Sequence, residues 1–213
     1  MISNAQIRQK ARQVLGGGIF KNEWLYALLV SLVVSVISGA LSATFVGTII
    51  VYGILMVASS TYYLGRVRGT VAHDKLGVTI EGVKNDLSGS LITGILYNVF
   101  IMLWSMLFVI PGIVKSCSYA LTFYIRADNP SLSATEAITE SRRMMDGYKM
   151  KYFMLQLSFI GWLIVGTLCL GVGTLWVAAY MQTATAVFYE EVKAAKCPQA
   201  NAAPEAEAAE SAE

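Results

Sequence analysis

Asn98, Lys115, Gln156 and Gln182 are the residues where chemistry would first be sought, because each lies within or at the edge of a long apolar segment. Polar groups inside such segments are costly and commonly mark substrate or ion paths. A lysine there could pair with an anion or carry a proton, and amides could line a route for a polar solute. Each also has a plainer role. Lys115 follows Pro111 by about one helical turn, roughly 6 Å from the outer end of its segment, where its ammonium can snorkel. Asn98 and Gln182 lie about ten residues into their segments, with Gln156 nearer the inner face. Amides so placed often bridge helices, contributing about 0.6–2 kcal/mol each.

Catalytic constellations are not visible. His73 is the single histidine, so no HExxH site can be written. Gly16-Gly17-Gly18 lacks the Lys-Ser/Thr ending of a phosphate-binding loop. Asp128, Glu136 and Glu140 could meet at a metal, but helix capping and solvated charge account for them. Cys117, Cys169 and Cys197 are odd in number and have no motif spacing. The expectation is a non-enzymatic protein with no catalytic, cofactor or metal residues.

The elements that must position these residues are set by hydropathy. Trp24–Gly65, Leu87–Val114 and Tyr152–Tyr189 contain no Asp, Glu, Lys, Arg or His over 42, 28 and 38 residues. A bilayer span needs about 20 apolar residues as helix. Charged residues make up 14% of the 213-residue chain, against about 25% in soluble domains. These observations predict an all-α, polytopic membrane protein. Six spans are expected near 24–43, 46–65, 88–110, 111–127, 152–170 and 173–190, paired as three hairpins within a domain over 1–195. The first apolar run follows a 23-residue polar leader and exceeds a secretory h-region, so it reads as a span and not a cleaved signal. The Ala- and Glu-rich segment 196–213 reads as a disordered cytoplasmic tail.

Basic residues orient the hairpins. Fifteen of the sixteen Lys and Arg residues fall before, between or after the hairpins, with Lys115 the exception. The positive-inside rule then places both termini and both long loops in the cytoplasm. A short amphipathic segment precedes each hairpin, carrying Ile7, Ala11, Val14 and Leu15, then Ile80, Val83 and Leu87, then Ala134, Ile138 and Met145. Ser133-Ala134-Thr135-Glu136 and Ser3-Asn4-Ala5-Gln6 have the capping-box pattern. Such helices either lie on the inner leaflet or pack on the protein. Arg142 and Arg143 are candidate contacts for anionic lipid headgroups. A basic–x–x–apolar–x–Gly pattern closes the three segments, at Arg12–Gly17, Lys84–Gly89 and Arg142–Gly147, and suggests a threefold repeat. Ser31, Ser35, Ser38 and Ser42 share one helical face and read as a close helix contact.

Several ordered blocks carry a family resemblance. They are Ile110-Pro111-Gly112-Ile113-Val114-Lys115, Ala127-Asp128-Asn129-Pro130, Ser141-Arg142-Arg143-Met144-Met145-Asp146-Gly147 and Gly171-Val172-Gly173-Thr174-Leu175-Trp176. Together they resemble the bacterial integral membrane family known as domain of unknown function 975. The resemblance implies a bacterial plasma-membrane protein and supplies no activity, substrate or catalytic residue. The proline-glycine break is also distantly similar to the membrane domain attached to some glycerophosphodiester phosphodiesterases, whose catalytic part is a separate domain.

The expected function is that of an accessory or lipid-associated scaffold. Its expected partners are the bilayer, anionic headgroups and a second copy or another membrane protein. Net charge of only +2 argues against nucleic acid. The competing reading is a small transporter or channel, in which Asn98, Lys115, Gln156 and Gln182 would face one cavity.

Overall fold

Ser3 and Ser133 start two helices by the same device. Each serine oxygen accepts from the backbone N–H three residues on, while the side chain of Gln6 or Glu136 accepts from the serine N–H. Two of the four orphan amides at each helix start are thereby used. The computed structural model describes residues 2–15, 22–41, 45–69, 87–107, 109–168 and 172–196. Among these, all regular structure is helical: α1 (Asn4–Val14), α2 (Asn22–Leu41), α3 (Phe45–Val67), α4 (Leu87–Leu107), α5 (Val109–Tyr119), α6 (Thr122–Asp128), α7 (Ala134–Met144), α8 (Lys149–Leu168) and α9 (Val172–Lys196).

Two helices among the described residues are long and apolar enough to cross a membrane, through the windows Leu87–Trp104 and Lys149–Leu168. Trp24–Val36 is a shorter apolar stretch. The segment expected as one span over 111–127 is divided. Helix α5 ends at Tyr119 and α6 begins at Thr122, and at 1.5 Å per residue neither alone approaches the roughly 30 Å of a hydrocarbon core. Pro111 falls in the first turn of α5, where a missing N–H deprives no internal bond.

Helix α9 contains the segment expected over 173–190, runs on to Lys196 and is fastened to α1. The Tyr180 hydroxyl donates to the Arg8 carbonyl at 3.0 Å and accepts from Arg12 Nε at 3.0 Å. These bonds tie α9 to α1, and Ala184, Ala186, Val187 and Phe188 beyond Tyr180 are buried in the apolar core that the two helices share. The apolar face of α1, Ile7 and Ala11 with Leu15 beyond its end, is buried against protein.

The third amphipathic segment behaves the same way. Helix α7 buries Ala134, Ala137, Ile138, Ser141 and Met144 and packs on α4, α5 and α6. Of the two readings of these segments, protein packing is therefore the one observed for α1 and α7. The second segment lies mostly in 70–86, outside the described residues, as does the tail from 197. Gly147 adopts φ +81° after α7, whereas Gly89 lies inside α4. The repeated pattern thus closes α7, while the segment before its second copy lies outside the described residues and Gly89 falls in the first turn of α4.

Helices α3 and α4 approach each other closely. Gly53 on α3 meets Gly94 on α4, and a Cβ on Gly53 would lie 2.6 Å from the Gly94 Cα. Gly166 and Gly173 bring α8 and α9 together similarly. The serine face is also a contact: Ser31 Oγ lies 2.9 Å from the Tyr63 hydroxyl, which donates to the Ala27 carbonyl at 3.1 Å. The side chains of Ser38 and Ser42 lie outside the described residues.

Candidate functional site

The break between α5 and α6 opens one wall of a cavity of about 470 Å³. A turn at Ala120 and Leu121 replaces helix, and the chain resumes with Phe123 against Tyr52 of α3 and Tyr97 of α4 and with Tyr124 reaching α9. Breaking a helix frees backbone groups that need partners. Helix α7 supplies one, since the buried Ser141 hydroxyl donates to the Ser118 carbonyl at 2.9 Å. The Tyr124 hydroxyl donates to the Gln182 carbonyl at 3.1 Å and fastens α6 to α9.

Aromatic rings form much of the wall. Tyr97 and Phe123 have centroids 4.9 Å apart, and Tyr52 meets Phe123 edge-on at 5.8 Å. Tyr152 packs on Phe188 at 5.2 Å. Gln156, Gln182 and Thr185 add polar groups to the lining. Gln156 Nε2 donates to Thr185 Oγ1 across a long 3.4 Å, and Thr185 Oγ1 itself donates to the Met181 carbonyl at 2.9 Å.

The four polar candidates are thus divided among three settings. Gln156 and Gln182 line the cavity together. Asn98 Nδ2 donates to the Gly94 carbonyl one turn back on its own helix at 2.9 Å. The Lys115 ammonium lies 4.3 Å from the Trp104 ring centroid, a cation–π contact between α5 and α4. Arg142 and Lys149 are close enough to act on Lys115 electrostatically.

Below the cavity lies an ionic cluster that sequence reasoning missed. Asp128, at the end of α6, accepts from Arg68, from Lys193 Nζ at 2.6 Å and from the Tyr189 hydroxyl at 2.8 Å. Arg68 Nε also donates to Glu190 at 2.8 Å. The cluster joins the end of α3, the end of α6 and the inner part of α9. Burial by itself would raise the Asp128 pKa. The hydrogen bonds from Arg68, Lys193 and Tyr189, with the Arg68 charge, outweigh burial and hold it at about 2, below the usual 3.8. Burial would likewise lower the Arg68 pKa, but Asp128 and Glu190 more than offset it and raise it. The signal in sequence was the block Ala127-Asp128-Asn129-Pro130, which marks a helix end but names no partner 65 residues away.

Glu136 and Glu140 do not join Asp128 at a metal. Glu136 caps α7, and the Ser133 side chain and backbone lower its pKa. Glu140 pairs with Arg143 at 2.6 Å. Among the described residues, no group of three His, Cys, Asp or Glu side chains is placed to hold a metal ion. Arg142 and Arg143 are both exposed.

Fold and site together define an all-helical protein with exposed apolar helix faces, an aromatic and amide-lined cavity, and a charged cluster that ties three helices. Residues 106–196 match the family described as protein of unknown function (DUF975), so the resemblance expected from the sequence holds over that region. The match covers α5 to α9 and contains every residue of the cluster except Arg68. No curated protein and no solved structure matches the chain.

Proposed function

We propose that the chain is a multi-pass protein of the bacterial plasma membrane, acting without catalysis as a lipid-associated accessory or scaffold. One observation carries this reading: the long apolar helices are turned outward. Only 17% of each candidate membrane window is buried in the protein. Leu29 and Val33 on α2, Val99 and Met102 on α4, and Ile160 and Ile164 on α8 are all exposed. A core helix of a soluble domain would bury those side chains. Outward apolar faces of this extent suit lipid as solvent.

The basic residues support an orientation with both termini cytoplasmic, and the six apolar segments support three hairpins. In this arrangement α5 and α6 form one interrupted path. Irregular backbone is tolerated there because surrounding protein meets its polar groups. Exposed Arg142, with Arg143 beside it on Glu140, would meet anionic headgroups, and the outward faces of α2, α4 and α8 leave room for a second copy or another membrane protein. The transporter reading gains support from Gln156 and Gln182 sharing a cavity. It loses support from Asn98, which bonds to its own helix, and from Lys115, which is held on Trp104.

The test is cysteine accessibility in a background with Cys117, Cys169 and Cys197 replaced. Thr70→Cys and Ser133→Cys are each expected to escape an impermeant maleimide in intact cells and to react once the membrane is opened. Reaction of either from outside overturns the orientation. Release of the protein by alkaline carbonate overturns membrane integration.

A further inference from the structure

We propose that the cavity among α4, α5, α6, α8 and α9 binds a neutral single-chain amphiphile with a hydroxyl- and ester-bearing head, of the monoacylglycerol kind. The proposal rests on the membrane reading above, because a ligand of this kind reaches the site from a bilayer.

Charge selects the head. Among the described residues, the side chains lining the cavity are apolar, aromatic, hydroxyl, amide and thiol groups, with no carboxylate, ammonium or guanidinium. Three of the surrounding cations are held outside the cavity. Asp128 holds Lys193 and Arg68, and the Lys115 ammonium sits on Trp104. A phosphate head entering this space would lose its water and meet no cation in the described lining, a large penalty for a buried charge. An uncharged head needs only hydrogen bonds. Amides and hydroxyls offer both donors and acceptors, which suits a head that has hydroxyls to donate and an ester carbonyl to accept. The 3.4 Å bond from Gln156 to Thr185 is long, so a ligand oxygen that replaces it displaces little.

Shape selects the tail. Tyr97, Phe123, Tyr152 and Phe153 present ring surface to the cavity, and such surface takes an alkyl chain without demanding polar contacts. A volume near 470 Å³ falls within the range of about 300–1,000 Å³ seen for small-molecule sites. It equals roughly 16 water volumes at about 30 Å³ each, enough for a glycerol head and part of one chain but not for a two-chain phospholipid.

Position agrees with both. Tyr152 is one turn into α8 from Lys149, and Tyr124 stacks on Tyr189 at 6.1 Å, the residue that reaches Asp128. The polar lining therefore adjoins the charged layer, as a headgroup must. The outward apolar faces of α4 and α8 lie beside the same cavity and provide surroundings for the rest of the chain.

Purified full-length protein in phosphatidylcholine nanodiscs would be irradiated with a diazirine-bearing monoacylglycerol. Saturable labelling is expected on peptides containing Tyr97, Phe123 or Phe153, with competition by unlabelled monoolein. Gln156→Leu and Thr185→Val should each weaken that competition about tenfold, the scale expected when a buried polar group loses its partner. Ile113→Trp, at a half-exposed position of the lining, should block labelling while the protein still melts as a folded species. A lysophosphatidylglycerol competitor as potent as monoolein overturns the neutral head. Labelling that does not saturate, or that lies outside the cavity, overturns the site. If either happens in protein that still resists carbonate extraction, the membrane reading survives and the ligand proposal alone fails.

Discussion

Gly53 and Gly94 face each other across α3 and α4 so closely that a Cβ added to Gly94 would lie 2.6 Å from the Gly53 backbone nitrogen. Real Cβ atoms do not approach backbone at that distance, so any larger residue must push the helices apart. Two glycines on different apolar segments thus set the spacing between the first two expected hairpins.

Gly94→Val is expected to destabilise the protein by about 1–3 kcal/mol, the usual cost of overpacking a tight interface. Gly161→Ala on α8 is the control, because an added Cβ there meets nothing within 4 Å. It should be neutral or stabilising, within about 1 kcal/mol, since alanine is the better helix former. Thermal melting in one detergent checks both. Equal melting of wild type and Gly94→Val would remove the close contact from the fold.

The Asp128 cluster makes stability depend on acid. The folded pKa of Asp128 is about 2 against the ordinary 3.8. A depressed carboxyl pKa stabilises the fold fully above its unfolded value, and that contribution is lost as pH falls through the folded one. The loss should run from about pH 4 down to about pH 2 and amount to on the order of 2 kcal/mol. Asp128→Asn should remove this part of the acid response and lower stability at neutral pH by about 1–3 kcal/mol, because Arg68 and Lys193 lose their shared anion. Melting temperature followed from pH 6 to pH 2 in both proteins is the measurement. Parallel curves would show that Asp128 does not govern acid unfolding.

Lys115 and Trp104 should be energetically coupled. Lys115→Leu is expected to leave expression and membrane insertion intact, because the lysine lies near a helix break and makes one principal contact. A double-mutant cycle with Trp104→Leu should return a coupling of about 0.5–2 kcal/mol, the range for a cation–π pair between exposed and desolvated settings. A coupling indistinguishable from zero would mean that the ammonium is solvated and the ring contact contributes nothing.

The capping boxes at Ser3 and Ser133, the ends of α2, α3, α4 and α8 to within a few residues, and the all-helical class were legible in the sequence. These are local matters: hydropathy over some twenty residues decides where an apolar helix runs, and a serine three residues before Gln or Glu decides where a surface helix starts. The resemblance over residues 106–196 was legible for a similar reason, since it rests on short ordered blocks. Periodicity marked an apolar face on α1 and α7 but could not say what covers it, because lipid and protein reward the same side chains. Only the tertiary structure assigned both faces to protein. It likewise divided the four polar candidates, sending Gln156 and Gln182 to one cavity while Asn98 turned to its own helix and Lys115 to Trp104. The break at Ala120 and Leu121 depends on Ser141 reaching Ser118, and the Asp128 cluster depends on Arg68 and Lys193 arriving from distant helices. Pairings between residues 23 to 65 positions apart leave no periodic trace, because nothing in local hydropathy encodes which helix becomes whose neighbour.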